Sequence, residues 1–246
     1  MKAMLFAAGE GQRLRPLTLK NPKALVPVAG RPMIEYPLLL LGHYGIKSIM
    51  INLHHLGDQV EAHVGDGARF GLAVRYSREE SLLDTGGGLL KAKAFLEDDT
   101  FIVINTDVLI DLPLDNLISF HHKKKASATL VLRPDEFAER YGSMDLDGDG
   151  RICRFLNARA PAKVMATGSK LMFTGVQILE PKVFGYMESE APKFSTTKQT
   201  YPKMLVQGEP MYGYCFEGYW QDLGTIERIK EAEAHLSAGR VKLHYL

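Results

Sequence analysis

The chain has 246 residues, 46% of them hydrophobic, 24% charged and 9% aromatic, which is enough to bury one large core and too apolar for intrinsic disorder. Thirty Lys and Arg stand against 29 Asp and Glu, and the formal net charge of +1 excludes an extended nucleic-acid-binding face while leaving room for a local basic pocket. Two distant cysteines, Cys153 and Cys215, exclude a disulfide framework and point to a reducing cytoplasm, and no run reaches the ~18 apolar residues of a membrane span. The apolar stretch in MKAMLFAAGEG is too short to read as a signal peptide.

Lys2–Ala8 reads as a short buried strand running straight into Gly9-Glu10-Gly11-Gln12-Arg13. A polar, proline-punctuated stretch follows to Val28. The Leu-rich segment Pro32–His43 predicts a helix, with Pro37 marking either a kink or a later start, and Gly45 ends it. Ile46–Leu53 is β-branched and apolar, a strand. A short helix is expected near Asp58–Val64, and Leu72–Ser77 alternates as a half-buried strand does. Gly86-Gly87-Gly88 opens a helix that ends near Leu96. Phe101–Asn105 (FIVIN) is a continuous apolar run, the mark of a strand covered on both faces. Leu114–Lys124 predicts a helix and Ser127–Leu132 a strand.

Alternation of strands and helices over the first 110 residues predicts an α/β fold with a mainly parallel, mixed sheet. The pattern then changes. Met144–Leu146, Arg151–Phe155, Leu171–Leu179 and Met211–Glu217 read as strands of a small antiparallel or mixed extension, and Thr225–Ser237 as a charge-rich helix. No composition break serves as a linker. The expectation is one domain over residues 1–246, with residues 1–110 as its nucleotide-binding half and 111–246 as the other.

A strand followed at once by Gly-x-Gly-x-Arg is a natural phosphate cradle, because bare backbone brings N–H groups close to oxygens and Arg13 adds a fork of donors. The same residues could form a plain tight turn. Leu14 stands where a dinucleotide fingerprint needs glycine, and no Gly-Lys-Ser/Thr follows as in a P-loop. Arg13, Arg15, Lys20 and Lys23 fall within eleven residues, which favours an anion site. Asp107 follows the buried FIVIN strand, where ligands bind in open α/β sheets. Asp222 precedes the last helix and could be its N-cap instead of a functional carboxylate.

The segments FAAGEGQRLRPLT (Phe6–Thr18) and PKALVPV (Pro22–Val28) resemble the signature of the sugar-1-phosphate nucleotidylyltransferases, roughly LAAGxGxRLxPLT…PKxLxPV, and the resemblance extends to Trp220-Gln221-Asp222-Leu223-Gly224-Thr225. It implies the Rossmann-like nucleotide-diphospho-sugar transferase fold and a nucleoside triphosphate held over Ala8, Gly9 and Gly11. It gives Arg13 the leaving pyrophosphate, Lys23 the phosphate at the reacting centre, and Asp107 and Asp222 together a Mg²⁺ ion. Leu83-Asp84-Thr85-Gly86-Gly87-Gly88 resembles the family's recognition turn, which assigns Gly86 and Gly87 to the nucleotide. The usual glycine before the first aspartate is Thr106 here.

The acceptor side is implied less directly. Tyr141-Gly142 and Thr174-Gly175 match positions lining the sugar-phosphate pocket. The family's acidic-Lys-Pro element is replaced near Asn157, Ala158 and Arg159, so the expected sugar-phosphate residues are Gly142, Asn157, Arg159, Thr174 and Gly175, with Lys163 a further source of charge.

PKALVPVAGRPMIEY, GDGARFGL and DTGGGLLKA are similar to N-acetylmuramate 1-phosphate uridylyltransferases, and mannose-1-phosphate guanylyltransferases are also similar. UTP with N-acetylmuramate 1-phosphate, or GTP with mannose or heptose 1-phosphate, is therefore expected. The implied enzyme is a cytoplasmic monomer or homodimer without the carboxyl-terminal β-helix of some relatives, and with no nucleic-acid or membrane partner. Three other readings compete: a phosphocholine cytidylyltransferase, a non-catalytic nucleotide-sugar-binding regulatory subunit, and a NAD-dependent dehydrogenase, against which Leu14 argues.

Asp145-x-Asp147-x-Asp149-Gly150 opens like an EF-hand, but its twelfth position is Leu156, so a hairpin turn is expected. His54-His55 and His121-His122 read as surface or pocket-edge histidines. Lys123-Lys124-Lys125 reads as a cationic end to a helix.

Overall fold

A computed structural model describes residues 1–136, 138, 144–161, 170–187 and 191–246. In chain order the first elements are β1 (Lys2–Phe6), β2 (Pro27–Val28), β3 (Arg31–Pro32), α1 (Glu35–His43), β4 (Ser48–Leu53), α2 (Gly57–Val64) and β5 (Ala73–Arg78). Then come α3 (Asp84–Lys91), α4 (Lys93–Leu96), β6 (Phe101–Asn105), β7 (Val108–Ile110), α5 (Leu114–Lys124) and β8 (Ala128–Pro134). The remainder is β9 (Met144–Leu146), β10 (Ile152–Phe155), β11 (Ala158–Arg159), β12 (Leu171–Leu179), α6 (Tyr201–Val206), β13 (Met211–Cys215), β14 (Trp220–Asp222) and α7 (Ile226–Ser237). The sheet is mixed and flanked by helices, with parallel pairing where the chain alternates strand and helix, as the sequence predicts. Among the described residues no helix is long and apolar enough to cross a membrane.

The chain forms two compact units. The first contains Met1–Leu82, Ile104–Leu112 and Gly218–Leu246. Here β1 pairs in parallel with β4, and β4 with β5, in the register Ala3↔Ile49 and Ser48↔Ala73. Parallel neighbours need crossovers, and α1 and α2 supply them. Met4, Leu5, Ile49, Ile51, Leu38 and Leu41 are fully buried. Pro37 lies in the first turn of α1, so it marks a late start and no kink. A proline there removes a donor that the first turn leaves unused.

The second unit contains Leu83–Val103 and Pro113–Glu217. Its strand β8 pairs antiparallel with β12 and parallel with β13, while β9, β10 and β11 form the antiparallel extension. Asp147 organises the β9–β10 turn by accepting from Asp149 N (2.9 Å) and Arg151 N (2.8 Å), so the aspartate run is a hairpin turn as expected. Lys125 closes α5 in the left-handed conformation.

His121 is not a surface residue but does stand at a pocket edge, lining a cavity with His122, Glu180 and Lys182. It is 1% exposed, with Nδ1 2.8 Å from Thr129 Oγ1 and Nε2 3.0 Å from Glu180 Oε1. Burial lowers its pKa, and the Glu180 hydrogen bond offsets that only in part. A histidine whose folded pKa lies below 6.5 stabilises the fold above that pH, and the contribution is lost as pH falls through the folded value. The melting temperature is therefore expected to drop from pH 7.5 to 5.5, with a shallower slope for His121→Gln. Equal slopes in a melting series would remove His121 from the acid response.

Candidate active site

The site in the first unit begins where β1 ends. Gly11 takes a left-handed conformation (φ 63°), which lets the chain turn into the short helical turn Gln12–Leu14. Leu14 is buried and anchors that turn, while Arg13 is exposed. A Cβ on Gly11 would lie 2.8 Å from Thr18 Cγ2 and 3.0 Å from Lys23 Cβ, so the stem of Lys23 passes beside the loop. Among the described residues nothing lies within 4 Å of a Cβ built on Gly9.

Lys23 follows Pro22 in a further helical turn, closed by Leu25 N to Pro22 O (2.9 Å) and Val26 N to Lys23 O (3.1 Å). Its Nζ donates to Asp107 Oδ2, and both side chains are largely shielded, at 14% and 25% exposed. Thr106, in place of the expected glycine, is buried and donates its hydroxyl to Phe6 O (2.7 Å). The residue next to Asp107 thus ties the end of β6 to the end of β1.

The pairing of β14 with β7 brings in the second aspartate. Asp222 stands opposite Val108, and Leu223 N donates to Asp107 O (2.8 Å). Asp222 is not the N-cap of α7. That role belongs to Thr225, whose hydroxyl accepts from Arg228 N at 3.4 Å. Asp222 Oδ1 instead accepts from Gly224 N (2.7 Å), and Oδ2 accepts from the Arg228 guanidinium. A Cβ on Gly224 would sit 2.7 Å from both Arg13 Nη2 and Asp222 Oδ1, so the Arg13 guanidinium and this carboxylate both lie beside Gly224. Arg13, Lys23, Asp107 and Asp222 therefore converge, with Arg228 added to them.

Two carboxylates, Asp107 in the turn before β7 and Asp222 on its partner β14, each matched by a side-chain cation, form a hard-oxygen donor set. Mg²⁺ takes such a set when phosphate oxygens and water complete its octahedral shell, so these residues fit the ion. Among the described residues no group of three or more His, Cys, Asp or Glu could hold a metal alone.

The glycine turn lies in the second unit. Helix α3 starts at Asp84, before the glycines, and its free first-turn donors are taken up: Gly86 N (2.8 Å) and Gly87 N (3.3 Å) both donate to Phe194 O. Thr196 N donates to Thr85 Oγ1 (2.9 Å). A Cβ on Gly86 would run into the Phe194 ring, and one on Gly87 into Pro192 O. These two amides therefore serve the 192–196 segment, a use that the sequence does not reveal. Gly87→Ala is expected to cost about 1–3 kcal/mol, because backbone must move to admit the methyl. Urea unfolding measures it, and an unchanged midpoint would mean the segment yields freely.

The acceptor-side residues are spread across the second unit. Asn157 and Arg159 are exposed in the outer hairpin, and β10 and β9 separate β11 from β12. Thr174 is 1% exposed and donates its hydroxyl to Val131 O (2.9 Å), so its side chain serves the sheet instead of facing a ligand pocket. Gly175 (φ 89°) sits in the bulge where the β12–β8 register shifts, a place for glycine. Gly142 and Lys163 lie outside the described residues.

Residues 2–239 match the family model described as Nucleotidyl transferase. The chain is 35% identical over 239 residues to a UTP–glucose-1-phosphate uridylyltransferase from Synechocystis, covering 92% of this chain and 61% of that protein. It is 32% identical over 238 residues to a mannose-1-phosphate guanylyltransferase from Mycobacterium tuberculosis, covering 96% and 65%. It is 34% identical over 243 residues to an N-acetylmuramate alpha-1-phosphate uridylyltransferase from Neisseria meningitidis, covering 95% and 97%. The chain thus spans less than two thirds of the length of the first two. A Bacillus anthracis crystal structure described as a glucose-1-phosphate thymidylyltransferase superposes with a TM-score of 0.82 at 26% identity, covering 95% of this chain and 94% of that one.

Proposed function

Because the chain belongs to the nucleotidyl transferase family, we propose that it joins the nucleoside monophosphate of an NTP to a sugar 1-phosphate, releasing pyrophosphate and giving an NDP-sugar. The observation that carries this reading is the convergence of Arg13, Lys23, Asp107 and Asp222 at the ends of β1, β6 and β14. The favoured pairs are UTP with N-acetylmuramate 1-phosphate and GTP with mannose or heptose 1-phosphate. The names of the similar proteins support both bases and leave the choice to experiment.

In this reading Ala8, Gly9, Gly11 and Arg13 bind the nucleotide, with Gly86 and Gly87 shaping the recognition turn. The acceptor phosphate oxygen attacks the α-phosphorus. A new phosphorus–oxygen bond forms, the bond to the bridging oxygen breaks, and pyrophosphate carries away the electron pair. The acceptor phosphate is already ionised near pH 7, so no general base is needed. The protein aligns the two anions and neutralises charge as it develops. Lys23 meets the phosphate at the reacting centre in this reading. Arg13 steadies the leaving pyrophosphate. Asp107 and Asp222 would hold Mg²⁺, which supplies charge neutralisation and alignment of phosphate oxygens when bound.

On the acceptor side Asn157, Arg159, Gly142 and the Gly175 backbone are the proposed sugar-phosphate contacts, and Thr174 next to Gly175 supports the sheet through Val131 O. The proposed setting is the cytoplasm, where NTPs are available, and the proposed assembly is a monomer or homodimer. Labelled NTP tests the bond that breaks. An α-³²P label is expected in the NDP-sugar and a γ-³²P label in pyrophosphate. Release of γ label as orthophosphate would contradict the reading.

A further inference from the structure

Residues 7–11 lie outside any helix or strand, so side chains from elsewhere must set their shape. At the start, Ala7 N donates to Asn52 Oδ1 at 2.8 Å. Asn52 lies near the end of β4 and is 3% exposed. Its Nδ2 donates to Glu79 Oε1, also at 2.8 Å. An amide side chain can turn over and exchange its oxygen for its nitrogen. An ionised carboxylate only accepts, so Glu79 draws the NH₂ group to itself and leaves the oxygen for Ala7. Glu79 is itself 5% exposed and fixed to the sheet by Glu79 N to Leu53 O (2.7 Å), with His54 Nδ1 3.0 Å from its carbonyl. Burying a carboxylate is costly, and orienting an amide is a use that justifies one here.

At the other end, Gly11 O accepts from Leu14 N (2.9 Å) and from Thr18 Oγ1 (2.8 Å). Thr18 is 1% exposed, and its carbonyl lies 3.1 Å from His55 Nε2. His54 and His55 directly follow β4, so the end of one strand secures both ends of the loop. We propose that Asn52, locked by Glu79, and Thr18 are positioning residues that hold the two ends of the nucleotide loop in its binding shape before nucleotide arrives. None of the three needs to touch the nucleotide. This rests on the reading of residues 8–13 as the NTP site.

The test is calorimetric titration of the full chain with UTP and GTP, with Mg²⁺, for wild type, Thr18→Val, Thr18→Ser and Asn52→Asp. Thr18→Val keeps the methyl packing against Gly11 and removes the hydroxyl. It is expected to weaken NTP binding about tenfold and raise the NTP KM in step, leaving the acceptor KM unchanged. Thr18→Ser restores the hydroxyl and is expected to stay within about twofold of wild type. Asn52→Asp sets two carboxylates face to face and is expected to weaken NTP binding further. The Thr18 pair decides the matter if that variant does not fold. A lowered melting temperature for Thr18→Val with unchanged NTP affinity would overturn the proposal and leave a purely structural threonine. Wild type that binds neither nucleotide would overturn the loop reading, and the proposal with it.

Discussion

Lys23→Ala is expected to lower turnover at least ~100-fold, the scale on which a single preorganised charge at a reacting phosphate acts. The expectation follows from how Lys23 is held. Pro22 and the short turn after it fix its backbone, its stem lies beside Gly11, and its Nζ is aimed at Asp107 Oδ2. Its ammonium therefore stands next to the loop and to one site carboxylate at once. Lys23→Arg should recover only part of the loss, because a planar fork does not fill the place of a compact ammonium. Stability should also fall, since removal of Lys23 leaves the largely shielded Asp107 carboxylate without its cation. Pyrophosphate release and a melting curve on the same sample separate the two effects. Near-normal turnover would remove Lys23 from the mechanism.

Asp222→Asn is expected to have a loss of similar size, at least ~100-fold, with retained folding. The amide keeps the shape and can still accept from Gly224 N, so the turn into α7 should survive. The negative charge goes, and with it the ion pair to Arg228. Asp107→Asn should behave alike. A Mn²⁺-binding titration gives a readout apart from turnover. Both variants should bind the ion more weakly than wild type, and unchanged binding would take that aspartate out of the metal set.

The parts of the fold that the sequence made legible are those whose signal is local. FIVIN and SIMIN are apolar along their length, and both are strands with most of their residues buried. Leu114–Lys124 is an amphipathic helix with a run of lysines at its end, and it has those bounds. Gly11 is also legible as a turn residue, since a left-handed φ favours glycine.

What the sequence left open depends on distant pairings. Asp107 and Asp222 are 115 positions apart and meet through two strands of three residues each, too short to leave a pattern. For the same reason Asp222 was indistinguishable from an N-cap until Thr225 was seen in that place. Gly86 and Gly87 signalled close approach, and the approaching group is Phe194 with Pro192. The burial of His121 is not legible because its partners, Thr129 and Glu180, come from other parts of the chain. Thr106, Thr18 and Asn52 carry no chemical flag in sequence. Each works through one hydrogen bond to backbone that only the fold supplies.

The central claim is nucleotidyl transfer to a sugar 1-phosphate, and pyrophosphate release tests it most directly. Wild type would be assayed with Mg²⁺ across UTP, GTP, CTP, ATP and dTTP. Each would be paired with N-acetylmuramate, mannose, glucose, N-acetylglucosamine and heptose 1-phosphates and with phosphocholine. The account predicts release that depends on both substrates, strongest with UTP or GTP and a sugar 1-phosphate, and abolished in Asp222→Asn. No release in any combination, from protein that binds these nucleotides, would contradict it.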